Sequence, residues 1–135
     1  MALNPSTGVA RRNAALDSAF DSLTSGHLMV YDSTQPVSAD TALGAQVLLA
    51  DLSFGSPAFA AASAGSKAAN SITQDSSANA TGTATWATLV PTSRATVGFH
   101  DMSAGTSGAN LNFNSVAISS GAAVSVSSLT LTMAA

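Results

Sequence analysis

The sequence predicts a mainly β fold, a jelly-roll-like antiparallel β-sandwich of about eight strands with one N-terminal helix. Three observations predict it. Short stretches with a period of two recur between turn signals from residue 27 to residue 133. One stretch, 7–24, has helical spacing instead. The larger apolar residues number 34 of 135, which supports one thin core, with alanine filling much of the rest. The chain therefore reads as a single domain, 1–135: an arm at 1–6, a helix at 7–24 and a sandwich at 27–133.

The helix rests on Val9, Leu16, Phe20 and Leu23, spaced by seven, four and three, with Ala15 and Ala19 on the same side. Ser6 or Thr7 is the expected N-cap and Gly26 the stop. Arg11 and Arg12 near the start and Asp17 and Asp21 near the end oppose the macrodipole. Such a helix needs docking to hold it. Leu16, Phe20 and Leu23 are expected either to contact a partner or to seal one end of the sandwich.

Residues 27–31 read as the first strand. Turn chemistry fills 32–41, with Ser-Thr-Gln-Pro and Ser-Ala-Asp-Thr. Residues 46–54 alternate, with Leu48, Ala50, Leu52 and Phe54 inward and Asp51 and Ser53 outward. Pro57 marks a strand start or an edge, and 60–70 reads as a low-complexity loop. A brief strand is expected at Ile72, followed by polar turns at 75–82. Residues 83–90 place Ala84, Trp86, Thr88 and Val90 on one face. Residues 96–102 form another strand, with Val97 and Phe99 aligned. Leu111 with Phe113 and Val116 with Ile118 follow. In the last strand, 123–133, Val124 and Val126 are out of phase with Leu129, Leu131 and Met133, so a β-bulge or a change of sheet is expected at Ser127-Ser128.

Charge is scarce: seven Asp, no Glu, one Lys and three Arg, or 8% of residues against roughly 25% in an ordinary domain. Four cations and a net charge of −3 do not make a nucleic-acid footprint. No apolar run approaches the roughly 20 residues that span a bilayer, and the first residues lack a signal-peptide pattern. The expectation is a protein made and assembled in a cytoplasm. Without cysteine there is no disulfide and no thiolate metal site.

Reactive motifs are missing as well. His27 and His100 are expected at strand ends facing solvent, and no His-Glu-x-x-His helix makes a zinc site. The strained Gly-x-Ser-x-Gly turn that presents a nucleophilic serine is absent; Gly105-Thr-Ser-Gly108 reads as a plain turn. No catalytic residue, metal site or cofactor is expected, and the chain is not expected to be an enzyme. Tyr31 and Trp86 are the candidate ligand contacts, for stacking on sugars, although a lone Trp in an alternating strand is usually core. What remains is a Ser/Thr/Ala surface suited to lying against protein, since little ionic desolvation opposes contact. Uncharged sheet edges would associate if exposed, so copies of this chain or a partner are expected to cover them.

Several stretches resemble a family of small tailed-bacteriophage virion proteins. They are Leu28-Met-Val-Tyr-Asp-Ser-Thr-Gln-Pro-Val-Ser-Ala-Asp-Thr-Ala-Leu43, Leu48-Leu-Ala-Asp-Leu-Ser-Phe54 and Pro57-Ala-Phe59. Asn70-Ser-Ile-Thr73, Ala80-Thr-Gly-Thr-Ala-Thr-Trp86, Gly105-Thr-Ser-Gly-Ala-Asn-Leu-Asn112 and Val124-Ser-Val-Ser-Ser-Leu-Thr-Leu131 complete the set. The resemblance implies a capsid decoration, or cement, protein: a jelly roll on the capsid exterior that binds the major capsid protein and copies of itself. It implies no catalytic residue, nucleic acid or membrane. The alternative expectation is a carbohydrate- or host-binding module of a tail, fibre or baseplate, using Tyr31 and Trp86.

Overall fold

The computed structural model describes residues 8–94 and 99–133, with residues 99–101 described by their backbone only. The expected arm, the caps Ser6 and Thr7, and Val97 lie outside the described residues. Helix α1 runs Val9–Phe20 and tightens into a 3₁₀ turn, Asp21–Leu23. Its N-cap is Gly8, which offers no side-chain cap. No acidic residue occupies the first turn and no basic residue the last, so neither end complements the dipole. The helix is held by what it packs on.

Ten strands are described: β1 (His27–Tyr31), β2 (Leu48–Phe54), β3 (Ser66–Ala68), β4 (Ile72–Thr73), β5 (Gly82–Thr83), β6 (Trp86–Val90), β7 (Phe99–Gly105), β8 (Leu111–Phe113), β9 (Ala117–Ile118) and β10 (Val126–Thr132). Eight form one sheet in the order β3-β10-β8-β7-β6-β1-β2-β4, and β5 pairs with β9. The mainly β, sandwich-like architecture with an N-terminal helix matches the sequence reading. Two details depart from it. The strands number ten, and the β7–β8 pair is parallel, so the sheet is mixed.

The sheet is curled until its margins meet. Its two outermost strands, β3 and β4, are separated in sequence by residues 69–71 alone. Four peptide links span at most about 15 Å, far less than a flat eight-stranded sheet with neighbours about 4.8 Å apart. Beyond β4, Asp75 and Val124 exchange both backbone hydrogen bonds, at 3.0 and 2.8 Å. Residues 58–60 cover the outer side of β3, with Ala60 N–H donating to Ala68 O and Asn70 N–H to Ala58 O. At the β3 margin the chain itself supplies the neighbouring backbone.

Inside the curl lie Leu28, Val30, Leu49, Leu52, Leu89, Leu111 and Phe113, all buried. Leu28 and Val30 of β1 sit opposite Leu52 and Ala50 of β2 and opposite Leu89 and Ala87 of β6. The inward phase of β2 holds for Ala50, Leu52 and Phe54, but at its start Leu49 is buried in place of the expected Leu48, where the register with β1 shifts. All five residues of β6 are buried, because it is an inner strand and both of its faces are covered. The last strand shifts register between Val126 and Ser128, the slip its sequence announces.

The parallel β7–β8 pair is built by residues 106–110. Asn110 Oδ1 accepts from Ser103 Oγ at 3.0 Å, and Asn110 N–H donates back to Ser103 Oγ at 3.1 Å. Asn112 closes the turn on itself, accepting from Ala109 N–H and donating to Ala109 O. Gly108 adopts φ +70°, a conformation glycine takes without penalty. The chain turns fully round and lays β8 beside β7 in the same direction. The Gly105-Thr-Ser-Gly-Ala-Asn-Leu-Asn112 motif is this turning device.

At the helix-to-strand junction the left-handed residue is Ser25, φ +58°, not Gly26. Gly26 is there for a different reason. A Cβ on it would lie 2.5 Å from Val90 O and 2.8 Å from Leu23 O, both backbone atoms. Gly26→Ala is therefore expected to destabilise by about 1–3 kcal/mol or more through overpacking, read as a lowered urea midpoint with unchanged m-value.

Candidate functional surface

The sequence points to five side chains, and all five are buried, Leu16, Phe20 and Leu23 in the main core and Tyr31 and Trp86 on the strand face opposite Leu28 and Leu89. Leu16, Phe20 and Leu23 are buried in the main core. Phe20 packs on Phe59 with ring centroids 5.6 Å apart, and Phe59 on Phe54 at 5.3 Å. All three therefore pack within the chain's own core. None is available on the surface of this chain. The expectation that they form an external contact is corrected accordingly.

Tyr31 and Trp86 sit directly opposite each other on β1 and β6. Their rings stack with centroids 4.7 Å apart and planes inclined by 16°. Trp86 is 3% exposed and donates its indole N–H to Asp32 O at 3.0 Å. Burial, reinforced by the nearby Asp51 charge, pushes the Tyr31 phenol above its ordinary value. A buried stacked pair with its indole N–H already used offers no platform for a sugar. The ligand contacts expected of Tyr31 and Trp86 are corrected to a structural role.

Two charged clusters tie elements together. In the first, Asp51 Oδ1 lies 2.8 Å from His27 Nδ1, and Asp51 Oδ2 accepts from Arg94 Nη2 at 2.8 Å. Asp51 N–H donates to Asp75 Oδ2. His27 is thus engaged at the start of β1 and largely covered rather than facing solvent, as the sequence led us to expect. Asp32 belongs elsewhere: its carboxylate accepts from Val47 N–H and Ser33 Oγ. Among the described residues no group of three or more His, Cys, Asp or Glu is placed to hold a metal ion.

The second cluster was missed by sequence reasoning. The single lysine, Lys67, stands on β3, inside the stretch expected to be a loop, and is 1% exposed. Its ammonium donates to Asp17 Oδ1 at 2.5 Å and pairs with Asp21 Oδ1 at 2.9 Å. Asp17 Oδ1 also accepts from Ala62 N–H, and Asn13 Oδ1 from Gly65 N–H. The lysine and the Ala62 amide hold the Asp17 carboxyl below its ordinary value. Burial alone would lower the Lys67 ammonium, but the hydrogen bonds to Asp17 and Asp21 outweigh it and raise it. The two aspartates that oppose the helix dipole are the clamp that docks α1.

No family model, curated protein or solved structure matches the chain. Its surface has to speak for itself.

Two surface features remain. One is a shallow depression of about 200 Å³ bounded by Asn114, Ile118, Ala122 and Val124, with serines between; it contains no titratable group. The other is the loop between β1 and β2. Among the described residues five large apolar side chains are exposed, and three of them, Val37 (95%), Leu43 (48%) and Val47 (43%), lie on this loop. Turn chemistry made the segment read as a polar connection, and the signal passed over was the apolar residues set among those turns.

Proposed function

We propose that this chain is a structural virion protein of a tailed bacteriophage, a decoration or cement protein that binds the outside of the capsid lattice and stabilises it. The observation that carries this reading is the exterior: a curled sheet whose solvent face is Ser, Thr, Ala and Asn with very few charges. Protein surfaces of this kind lose little solvation on contact. The covered outer side of β3 is closed to strand-to-strand association, which suits a high local density on a lattice. The resemblance to phage virion proteins supplies the partner, the major capsid protein.

The carbohydrate-binding alternative is disfavoured, because Tyr31 and Trp86 are buried in the chain itself. The deciding measurement uses heads from a virus in which the gene is deleted. Wild-type protein added back is expected to bind at hundreds of copies per head and to raise the temperature at which DNA is released. A few copies per particle, or an unchanged release temperature, would exclude a cement role.

A further inference from the structure

We propose that the loop at 32–47 is the element that docks on the capsid protein, inserting Val37 and Leu43 into an apolar surface that lacks an acidic rim. This inference rests on the cement reading above and assigns its contact site.

The loop is built to present these side chains. Its ends are joined: Asp32 N–H donates to Val47 O at 3.2 Å, and Val47 N–H returns to Asp32 Oδ1 at 2.8 Å. Gln46 braces the interior, accepting from Gly44 N–H at 2.7 Å and donating to Thr34 O at 2.6 Å. Ser38 and Thr41 close a turn, with Thr41 N–H on Ser38 O at 3.1 Å and the two hydroxyls 2.9 Å apart. The base is fastened to the sheet by Thr85 Oγ1 on Ser33 O at 2.6 Å and Trp86 Nε1 on Asp32 O. Pro36 is buried while its neighbour Val37 is 95% exposed. Compact loops with joined ends are frequently functional.

Such a frame has a thermodynamic meaning. Ordering a loop on binding opposes association, and a loop already ordered by its own bonds avoids that opposition. On this frame Val37 and Leu43 are held exposed, apolar area that a partner would cover. The charge on the loop selects the kind of partner. Residues 32–47 include Asp32 and Asp40 and no Lys or Arg. That pattern repels anionic lipid headgroups and nucleic-acid phosphates and leaves a protein surface. A second copy of this chain would bring the same acidic loop, and its described depression is floored largely by Ser and Ala.

The test compares three proteins on purified heads lacking this protein. These are the wild type, Val37→Asp/Leu43→Asp, and a charge control, Thr106→Asp/Ser107→Asp, on the exposed turn between β7 and β8. The wild type and the control are expected to bind alike, and the loop variant to bind about tenfold or more weakly, with an unchanged melting temperature. The milder Val37→Ser/Leu43→Ser variant guards against a folding defect and is expected to weaken binding in the same sense. Equal binding by the loop variants would overturn the docking site and leave the cement reading standing. Failure of the wild type itself to bind would overturn both. A loop variant that changes the oligomeric state of the free protein but binds heads normally would make the loop a self-contact and overturn the proposal.

Discussion

Trp86→Ala is expected to lower stability by about 3–5 kcal/mol, the range for deleting a buried large aromatic. In a domain whose total stability is of order 5–15 kcal/mol, that removes a large part of the margin. Three losses combine: the buried area, the offset stack on Tyr31 at 4.7 Å, and the indole N–H bond to Asp32 O. Trp86→Phe separates them, keeping most of the area and a ring on Tyr31 while stranding the Asp32 carbonyl. Its expected effect is about 1–3 kcal/mol. Urea titrations followed by far-ultraviolet circular dichroism measure both, since the variants lack the only tryptophan. Equal midpoints for wild type and Trp86→Ala would mean that the indole is not packed as described. Because Asp32 is also the hinge of the loop at 32–47, Trp86→Ala should in addition loosen that loop, seen as faster amide exchange at Val47.

The second large effect concerns the helix clamp, and it is asymmetric. Lys67 is 1% exposed, whereas its partners Asp17 and Asp21 are 37% and 61% exposed. Lys67→Met keeps an apolar stem in place, and the released carboxylates turn to water, so the melting temperature is expected to change by only a few degrees. Asp17→Asn/Asp21→Asn strands an ammonium where water does not reach it. That variant is expected to melt at least about 5 °C lower. The reverse ranking would show that the lysine is solvated. The pH dependence follows from the two directions. The Asp17 carboxyl is held below its ordinary 3.8, so its contribution is present above that pH and lost as pH falls through the lowered value. The Lys67 ammonium is raised above its ordinary 10.5, so its contribution is complete below that pH and lost as pH rises through the raised value. The clamp therefore holds across the neutral range. Lys67→Met should flatten both the acid and the alkaline limb of the stability curve.

The parts of the fold legible in the sequence are those where large apolar side chains repeat. Leu16, Phe20 and Leu23 declare the helix and its buried stripe; His27 to Tyr31 and Leu48 to Phe54 declare two central strands. The phase slip at Ser127-Ser128 announces the register shift that β10 makes. What was illegible is written in small residues. Strand β3 lies within Ala, Ser and Gly, which give no alternation to read, and its one long side chain is a lysine, a type rarely found inside. Its burial depends on two aspartates about fifty residues earlier, and no local pattern carries that information. The exposed apolar side chains are hard to read for a related reason. The residues large enough to attract attention were the ones the fold had already consumed, while Val37 and Leu43 sat among turn residues.

The closure of the sheet also sets the order in which the molecule comes together. The pairs that complete it join Lys67 with Leu131 and Asp75 with Val124, far apart in sequence, so little of the curl is stable until β10 exists. During synthesis the helix α1 waits for Lys67, and both wait for β10. Folds dominated by such distant pairings form slowly, in milliseconds to seconds, and the unfinished chain exposes the apolar strands that the finished one hides. The bonds that join the margins of the sheet thus form late, after the strands they cover have been exposed.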